Sequence, residues 1–89
     1  MAHVRRPKDS DELHQLLESS LRNRRDVLGP EHPDVAESLW LLGRLEARIE
    51  HDFEGAREKL TEAKRLLAEP KPKWRKLAQR VDEELAALP

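Results

Sequence analysis

Side chains that support catalysis or metal binding are few and scattered in this sequence. Its four histidines, at positions 3, 14, 32 and 51, form no pair at the i, i+4 spacing that puts two metal ligands on one helix face. Cysteine is absent, which excludes thiolate metal sites, disulfides and a cysteine nucleophile. The serines lack a Gly-x-Ser-x-Gly context, and the three glycines are too scattered for a phosphate-binding loop. We therefore expect no enzyme, no metal site and no cofactor.

Acidic residues near the C-terminus offer no better catalytic site. Asp82, Glu83 and Glu84 are predicted on the polar face of a helix. A solvated carboxylate of that kind is not prepared for general acid–base work, which requires a perturbed environment.

A basic segment at 71–76 is the one candidate for nucleic-acid binding. Four cations surround an indole there, a pattern that contacts phosphates and stacks a base; the residues are Lys71, Lys73, Trp74, Arg75 and Lys76. The alternative places Trp74 at the head of an apolar helix stripe and leaves the cations solvated. We favour this alternative, because the net charge of −1 gives the chain no overall attraction to nucleic acid.

Length and composition predict one all-helical domain. The chain has 89 residues, of which 39% are charged, 37% hydrophobic and 3% aromatic, a composition unlike that of sheet proteins. No apolar run approaches the roughly 18 residues that a membrane-spanning helix needs. With no cysteine as well, we expect a cytoplasmic protein that does not bind membranes.

Apolar periodicity predicts four helices, at about 10–28, 33–51, 54–68 and 73–88, after a flexible basic arm at 1–9. Asp9 and Glu12 have the spacing of a capping box, which predicts the start of the first helix. Pro33 suits the first position of the second. That helix is apolar on more than one side, so we expect it to lie between two others. Short linkers predict antiparallel neighbours.

The run 24–39, Arg-Arg-Asp-Val-Leu-Gly-Pro-Glu-His-Pro-Asp-Val-Ala-Glu-Ser-Leu, resembles the junction between tetratricopeptide repeats of the kinesin-light-chain type. Residues 12–67 cover about one and a half such repeats. The register needs one extra residue between Gly43 and Ala56, and Glu46 stands near a position that is usually aromatic in the family. The motif residues are Leu28, Gly29, Pro30, His32 and Pro33 in the junction, Leu42 and Gly43 in the first repeat helix, and Phe53, Ala56, Leu60 and Ala63 in the second.

The resemblance implies a right-handed array of antiparallel helical hairpins, closed by the fourth helix as a C-terminal cap. It also implies an adaptor or scaffold that recruits another protein through a groove, here lined by Glu37, Trp40, Arg44 and Arg48. Trp40 would anchor a partner segment, and the two arginines, one turn apart, would bind a carboxylate. The alternative is that Trp40 belongs to the core and the arginines form a solvated face.

Only one repeat is complete, and repeat arrays usually need about three to bury a continuous core. The first helix therefore leaves an open edge. The second candidate function is self-association through this edge into a homodimer, and its residues would be Leu13, Leu16, Leu17 and Leu21.

Overall fold

Four α-helices follow one another along the chain in the computed structural model, which describes residues 6–69 and 71–89. They are α1 (Arg6–Leu28), α2 (Pro33–Leu45), α3 (Phe53–Leu66) and α4 (Arg75–Ala87). A π-helical turn, Glu46–Glu50, extends α2, and a 3₁₀ turn, Pro72–Trp74, precedes α4. The described residues contain no strand, which confirms the all-α prediction.

The first helix begins upstream of the predicted start. It starts at Arg6 rather than near Ser10, so the Asp9–Glu12 pair does not mark its first turn. Pro7 is compatible with this earlier start, because the first-turn amides of a helix have no intrahelical acceptor and proline lacks the amide. Residues 6–9 of the predicted flexible arm are therefore helical, and residues 1–5 lie outside the described part.

The junction between α1 and α2 forms as local chemistry predicts. Gly29 ends α1 with a φ of 93°, a left-handed conformation that side chains disfavour. His32 caps α2, and its Nδ1 accepts a hydrogen bond from the Asp34 amide at 3.0 Å. Pro33 is the first residue of the helix, where its missing amide removes no bond.

The core lies mainly along α2, which packs against both α1 and α3, while α3 also packs against α4. This arrangement confirms that the second helix lies between neighbours. Its buried apolar residues recur at helical spacing along α2 and α3, and α1 and α4 contribute fewer; they include Leu21, Val35, Leu39, Leu42, Leu45, Ala56, Leu60, Ala63, Leu67 and Val81. Leu28 and Phe53, two of the motif residues, are instead exposed by 41% and 37%.

Gly43 is the point of closest approach between α2 and α3. A β-carbon at this position would lie 2.6 Å from Cγ of Leu60, whose side chain is fully buried. Only glycine leaves room for the leucine at this contact. The close contact at Gly43 is therefore with a side chain of α3.

The end of α2 departs from regular helix. Residues Glu46–Glu50 form a π-helical turn, and His51 closes it with a φ of 58°. A π turn takes up one residue more than an α turn. Ile49, which continues the apolar stripe of α2 in the sequence, is consequently 59% exposed.

Among the described residues, no helix combines the length and the apolar character needed to cross a bilayer.

Candidate functional site

Three arginines gather around Trp40 at the contact between α2 and α4. The guanidinium of Arg44 lies 4.9 Å from the centroid of the Trp40 ring, and that of Arg80 lies 5.8 Å from it. Arg48, on the π turn, lines the same surface pocket. We call these four residues the basic–aromatic cluster. A cation over an indole face is attracted by the negative potential of the ring, so Trp40 orients two of the three positive groups.

Glu84 of α4 is the carboxylate that enters this cluster. Its side chain is 9% exposed and forms ion pairs with Arg48 and with Arg44, the latter at 3.6 Å between Nε and Oε2. The prediction that Glu84 lies on a solvated face is wrong, because α4 packs against α3 and α2 and turns this residue towards the arginines. An acidic side chain of the chain itself thus occupies part of the predicted groove.

Two hydrogen-bond donors in the cluster have no acceptor. Nε1 of Trp40 and Nε of Arg44 are buried, and no acceptor within the described residues bonds to either. A buried donor without a partner loses its hydration with no compensation, at a free-energy cost of about 1–3 kcal/mol. Trp40 is half-buried and also packs against the core, so its interpretation as a core residue is correct in part.

Glu37, the fourth residue predicted to line the groove, forms its ion pair with α1 instead. Its carboxylate pairs with Arg24 of α1, with 3.0 Å between Nη1 and Oε1. The same Arg24 nitrogen donates to the Asp34 carbonyl at 2.8 Å. Glu37 therefore helps to attach α2 to α1, and Arg80 and Glu84 of α4 complete the cluster in its place.

An apolar groove lies beside the cluster, between α1 and the end of α2. Arg44 and Arg48 line both surfaces, and the apolar lining consists of Leu13, Leu17, Leu41, Leu45 and Ile49. Its position next to positive charge produces one continuous surface with an apolar half and a basic half.

The predicted self-association edge is only partly at the surface. Leu13 is 46% exposed and Leu16 is 66% exposed, whereas Leu17 packs partly against the core. Leu21 is 7% exposed and belongs to the core, so its assignment to the open edge is wrong. It is buried because α1 packs closely on α2 along this part of its length.

The basic segment 71–76 places its indole against the protein. Trp74 is half-buried and packs against the core, and Nζ of Lys73 lies 5.2 Å from its ring centroid. Lys71, Arg75 and Lys76 are exposed.

A second polar cluster joins α1 to the π turn. Nδ1 of His14 lies 2.9 Å from Oε1 of Glu50, while its Nε2 lies 3.3 Å from Glu18 and 3.4 Å from Glu46. We call these four residues the histidine cluster. Glu46 is 1% exposed, and Nζ of Lys59 contacts its Oε2 at 2.8 Å. Burial opposes protonation of the imidazole, but the hydrogen bond and charge of Glu50, helped by Glu18, outweigh it and raise the pKa of His14.

The spacing of the histidines in the sequence did not predict this histidine cluster. The His14–Glu18 spacing of four is a local signal for two contacting side chains on one helix face, but Glu46 and Glu50 lie more than a helix away along the chain. They reach His14 because the π turn carries them towards α1.

Replacing Glu84 by alanine is expected to lower the free energy of unfolding by about 1.5–3 kcal/mol, the usual worth of hydrogen bonds to charged groups. The loss follows because the guanidinium groups of Arg44 and Arg48 then lose their buried carboxylate. Urea unfolding followed by circular dichroism measures it. The matched control is the exposed neighbour Glu83→Ala, for which we expect less than about 0.5 kcal/mol. Equal effects of the two variants would contradict the buried position of Glu84.

Comparisons with protein-family models, curated proteins and solved structures return no match to this chain.

Proposed function

We propose that the chain is a non-catalytic protein–protein interaction module with a tetratricopeptide-like arrangement, and that it binds an acidic amphipathic segment of a partner protein. The binding surface is the basic–aromatic cluster together with the apolar groove. The observation that carries this proposal is the gathering of three arginines around Trp40 beside an apolar groove.

Charge complementarity selects an acidic partner. The cluster holds three guanidinium groups, and Glu84 is the carboxylate that pairs with two of them. A partner carboxylate has the geometry for a two-bond contact with a guanidinium. Arg48 is suited to this exchange because its side chain is 58% exposed.

The apolar groove selects a segment with a hydrophobic face. Leucine-type side chains at helical spacing fill such a groove in helix-in-groove recognition. Because Arg44 and Arg48 border the groove, a bound helix with acidic residues on one flank satisfies both halves of the surface.

Two features of the fold support the tetratricopeptide-like arrangement. The successive helices pack as sequence neighbours, and Gly43 meets Leu60 as the close contact between the two helices of the complete repeat. The fourth helix covers part of the last hairpin, as a capping helix does.

A peptide titration tests the proposal. The probe is a fluorescein-labelled helical peptide with leucines along one face and glutamates beside them, and its control replaces every glutamate by lysine. We expect fluorescence anisotropy to show saturable binding of the acidic peptide and none of the basic one, with an affinity that falls as salt rises. Equal binding of both peptides, or of neither, would contradict the proposal.

Self-association is the second candidate, favoured by the exposure of Leu13 and Leu16. Light scattering after size exclusion distinguishes it, because a homodimer through this edge has twice the mass of 10.4 kDa. Leu16→Glu is then expected to restore the monomer without loss of helicity, since this side chain is already 66% exposed. A dimer that persists in this variant would rule out the α1 edge.

A further inference from the structure

We propose that His14 is a pH switch that controls the apolar groove. When its imidazole is protonated, it joins α1 to the π turn and holds the two sides of the groove together, and loss of the proton at higher pH loosens this contact. The switch itself depends on the fold alone, whereas its effect on a bound segment rests on the function proposed above.

Both ring nitrogens of His14 face carboxylates. Nδ1 lies 2.9 Å from Oε1 and 3.1 Å from Oε2 of Glu50. Nε2 lies 3.3 Å from Oε2 of Glu18 and 3.4 Å from Oε2 of Glu46. An ionised carboxylate only accepts hydrogen bonds, and a neutral imidazole has one donor and one acceptor. Only the protonated ring therefore presents an N–H to the carboxylates on both of its sides.

Loss of the proton leaves an unfavourable contact at Nε2. A neutral ring that keeps donating to Glu50 directs the lone pair of Nε2 at Glu18 and Glu46. Glu46 is held where it is, because its side chain is 1% exposed and its Oε2 lies 2.8 Å from Nζ of Lys59 on α3. Without the imidazolium, three carboxylates share the ammonium of Lys59. The contact between α1 and the π turn is then weakened by like charge.

The sign of the pH dependence follows from these contacts. Burial opposes the charged ring, but the hydrogen bond and charge of Glu50, helped by Glu18, raise the pKa of His14 above the ordinary value of about 6.5. The ring regains that ordinary pKa in the unfolded chain. The stability that the protonated ring contributes is therefore fully present below about pH 6.5, and it is lost as the pH rises through the pKa of the folded chain.

The same two stretches of backbone carry the switch and the sides of the groove. Each of four residues that line the groove immediately precedes a residue of the histidine cluster; the pairs are Leu13–His14 and Leu17–Glu18 on α1, and Leu45–Glu46 and Ile49–Glu50 at the end of α2. A change in the distance between the two halves of the cluster therefore moves the two sides of the groove relative to each other. We expect the protonated switch to keep the groove in the shape that binds an amphipathic segment.

A pH titration of the free chain tests the switch without any partner. Ile49 is the only isoleucine of the chain, so ¹³C labelling of isoleucine methyl groups gives one signal from the side of the groove. We expect this signal to follow one sigmoidal curve with a midpoint above about pH 6.5, and the urea midpoint of unfolding to fall over the same range. His14→Gln keeps a donor for Glu50 but has no titratable ring, so it should abolish the curve and flatten the dependence of stability on pH.

Two further variants identify the group that titrates. Glu50→Gln removes the charge that raises the pKa of His14 and should move the midpoint to lower pH. His51→Asn removes an exposed histidine close to Ile49, at a left-handed position that asparagine tolerates, and should leave the midpoint unchanged. The switch would be overturned by a curve that persists in His14→Gln, by a midpoint that Glu50→Gln does not move, or by parent and His14→Gln chains that lose stability equally with pH.

Fluorescence anisotropy with the acidic peptide, at about pH 6 and about pH 8, tests the effect on binding. The glutamates of the peptide stay ionised over this range, since their ordinary pKa is about 4.3. We expect the affinity of the parent chain to fall by about fivefold or more, a typical coupling between two sites, and that of His14→Gln to change little. Equal affinity at both pH values would overturn control of the groove by His14. Absence of binding at either pH would contradict the proposed function, and the methyl titration then decides the switch by itself.

Discussion

Truncation of Leu60 to alanine is expected to lower the free energy of unfolding by about 2–5 kcal/mol, because it empties a fully buried position at the contact between α3 and α2. A domain of this kind has a total stability of about 5–15 kcal/mol, so the variant should be partly unfolded at modest urea concentrations. Urea unfolding followed by circular dichroism at several temperatures measures the loss.

The partner of Leu60 makes this prediction specific. Gly43→Ala alone is expected to lower the free energy of unfolding by about 1–3 kcal/mol through overpacking. The higher helix propensity of alanine offsets about 1 kcal/mol of this loss. In the double variant the new methyl group enters the space that Leu60 vacates. The loss of stability in the double variant should therefore be smaller than the sum of the two single-variant losses. We expect the difference to be at least about 0.5 kcal/mol. Additive losses would mean that the two residues are not in contact.

Reversal of charge at Arg44 and Arg48 is expected to have the largest effect on binding. Arginines that become buried at the centre of an interface often contribute about 2 kcal/mol or more, so Arg44→Glu with Arg48→Glu should weaken binding of the acidic peptide by about thirtyfold or more. The new carboxylates would repel both the peptide and Glu84. Fluorescence anisotropy at low and high salt measures the change.

Two control variants separate binding from folding. Arg44→Gln with Arg48→Gln keeps donors near Glu84 while removing both charges, so it should retain the helicity and still lose about tenfold in affinity. Arg75→Glu reverses an exposed charge at the start of α4, away from the cluster, and should leave affinity unchanged. An affinity that is insensitive to both arginine pairs would exclude this surface.

Local chemistry made much of the fold predictable. His32, Pro33 and Gly29 act through their own backbone neighbours, so the start of α2 and the end of α1 agree with the sequence prediction. Ala56, Leu60 and Ala63 are buried as their spacing predicts. These signals depend on one turn of helix and need no knowledge of distant packing.

Long-range packing decided the features that the sequence did not reveal. Glu46 is buried and Ile49 exposed because a π turn displaces the end of α2. Glu84 is buried because of where α4 lies against α2. Residue type predicts exposed glutamates and a buried isoleucine, which is the reverse of what the structure shows. Periodicity and hydropathy therefore do not predict the burial of these residues.

The candidate site was predictable in part for the same reason. Trp40 and Arg44 on α2 and Arg48 on the π turn follow one another at a spacing of four, and they lie together in the structure. Arg80 and Glu84 share a face of α4 through their spacing of four, but that face meets α2 only through tertiary packing. Glu37 pairs with Arg24 of α1, a contact between two helices that spacing within α2 does not indicate.

The most direct test of the proposed binding surface is the indole region of a ¹⁵N–¹H spectrum during titration with the acidic peptide. The chain has two tryptophans, so Trp74 is an internal control for Trp40. Because Trp40 lies in the basic–aromatic cluster that the peptide is expected to cover, we expect its indole signal to shift during the titration, while the Trp74 signal stays in place. A Trp40 signal that does not move at saturation, or equal movement of both signals, would contradict the account.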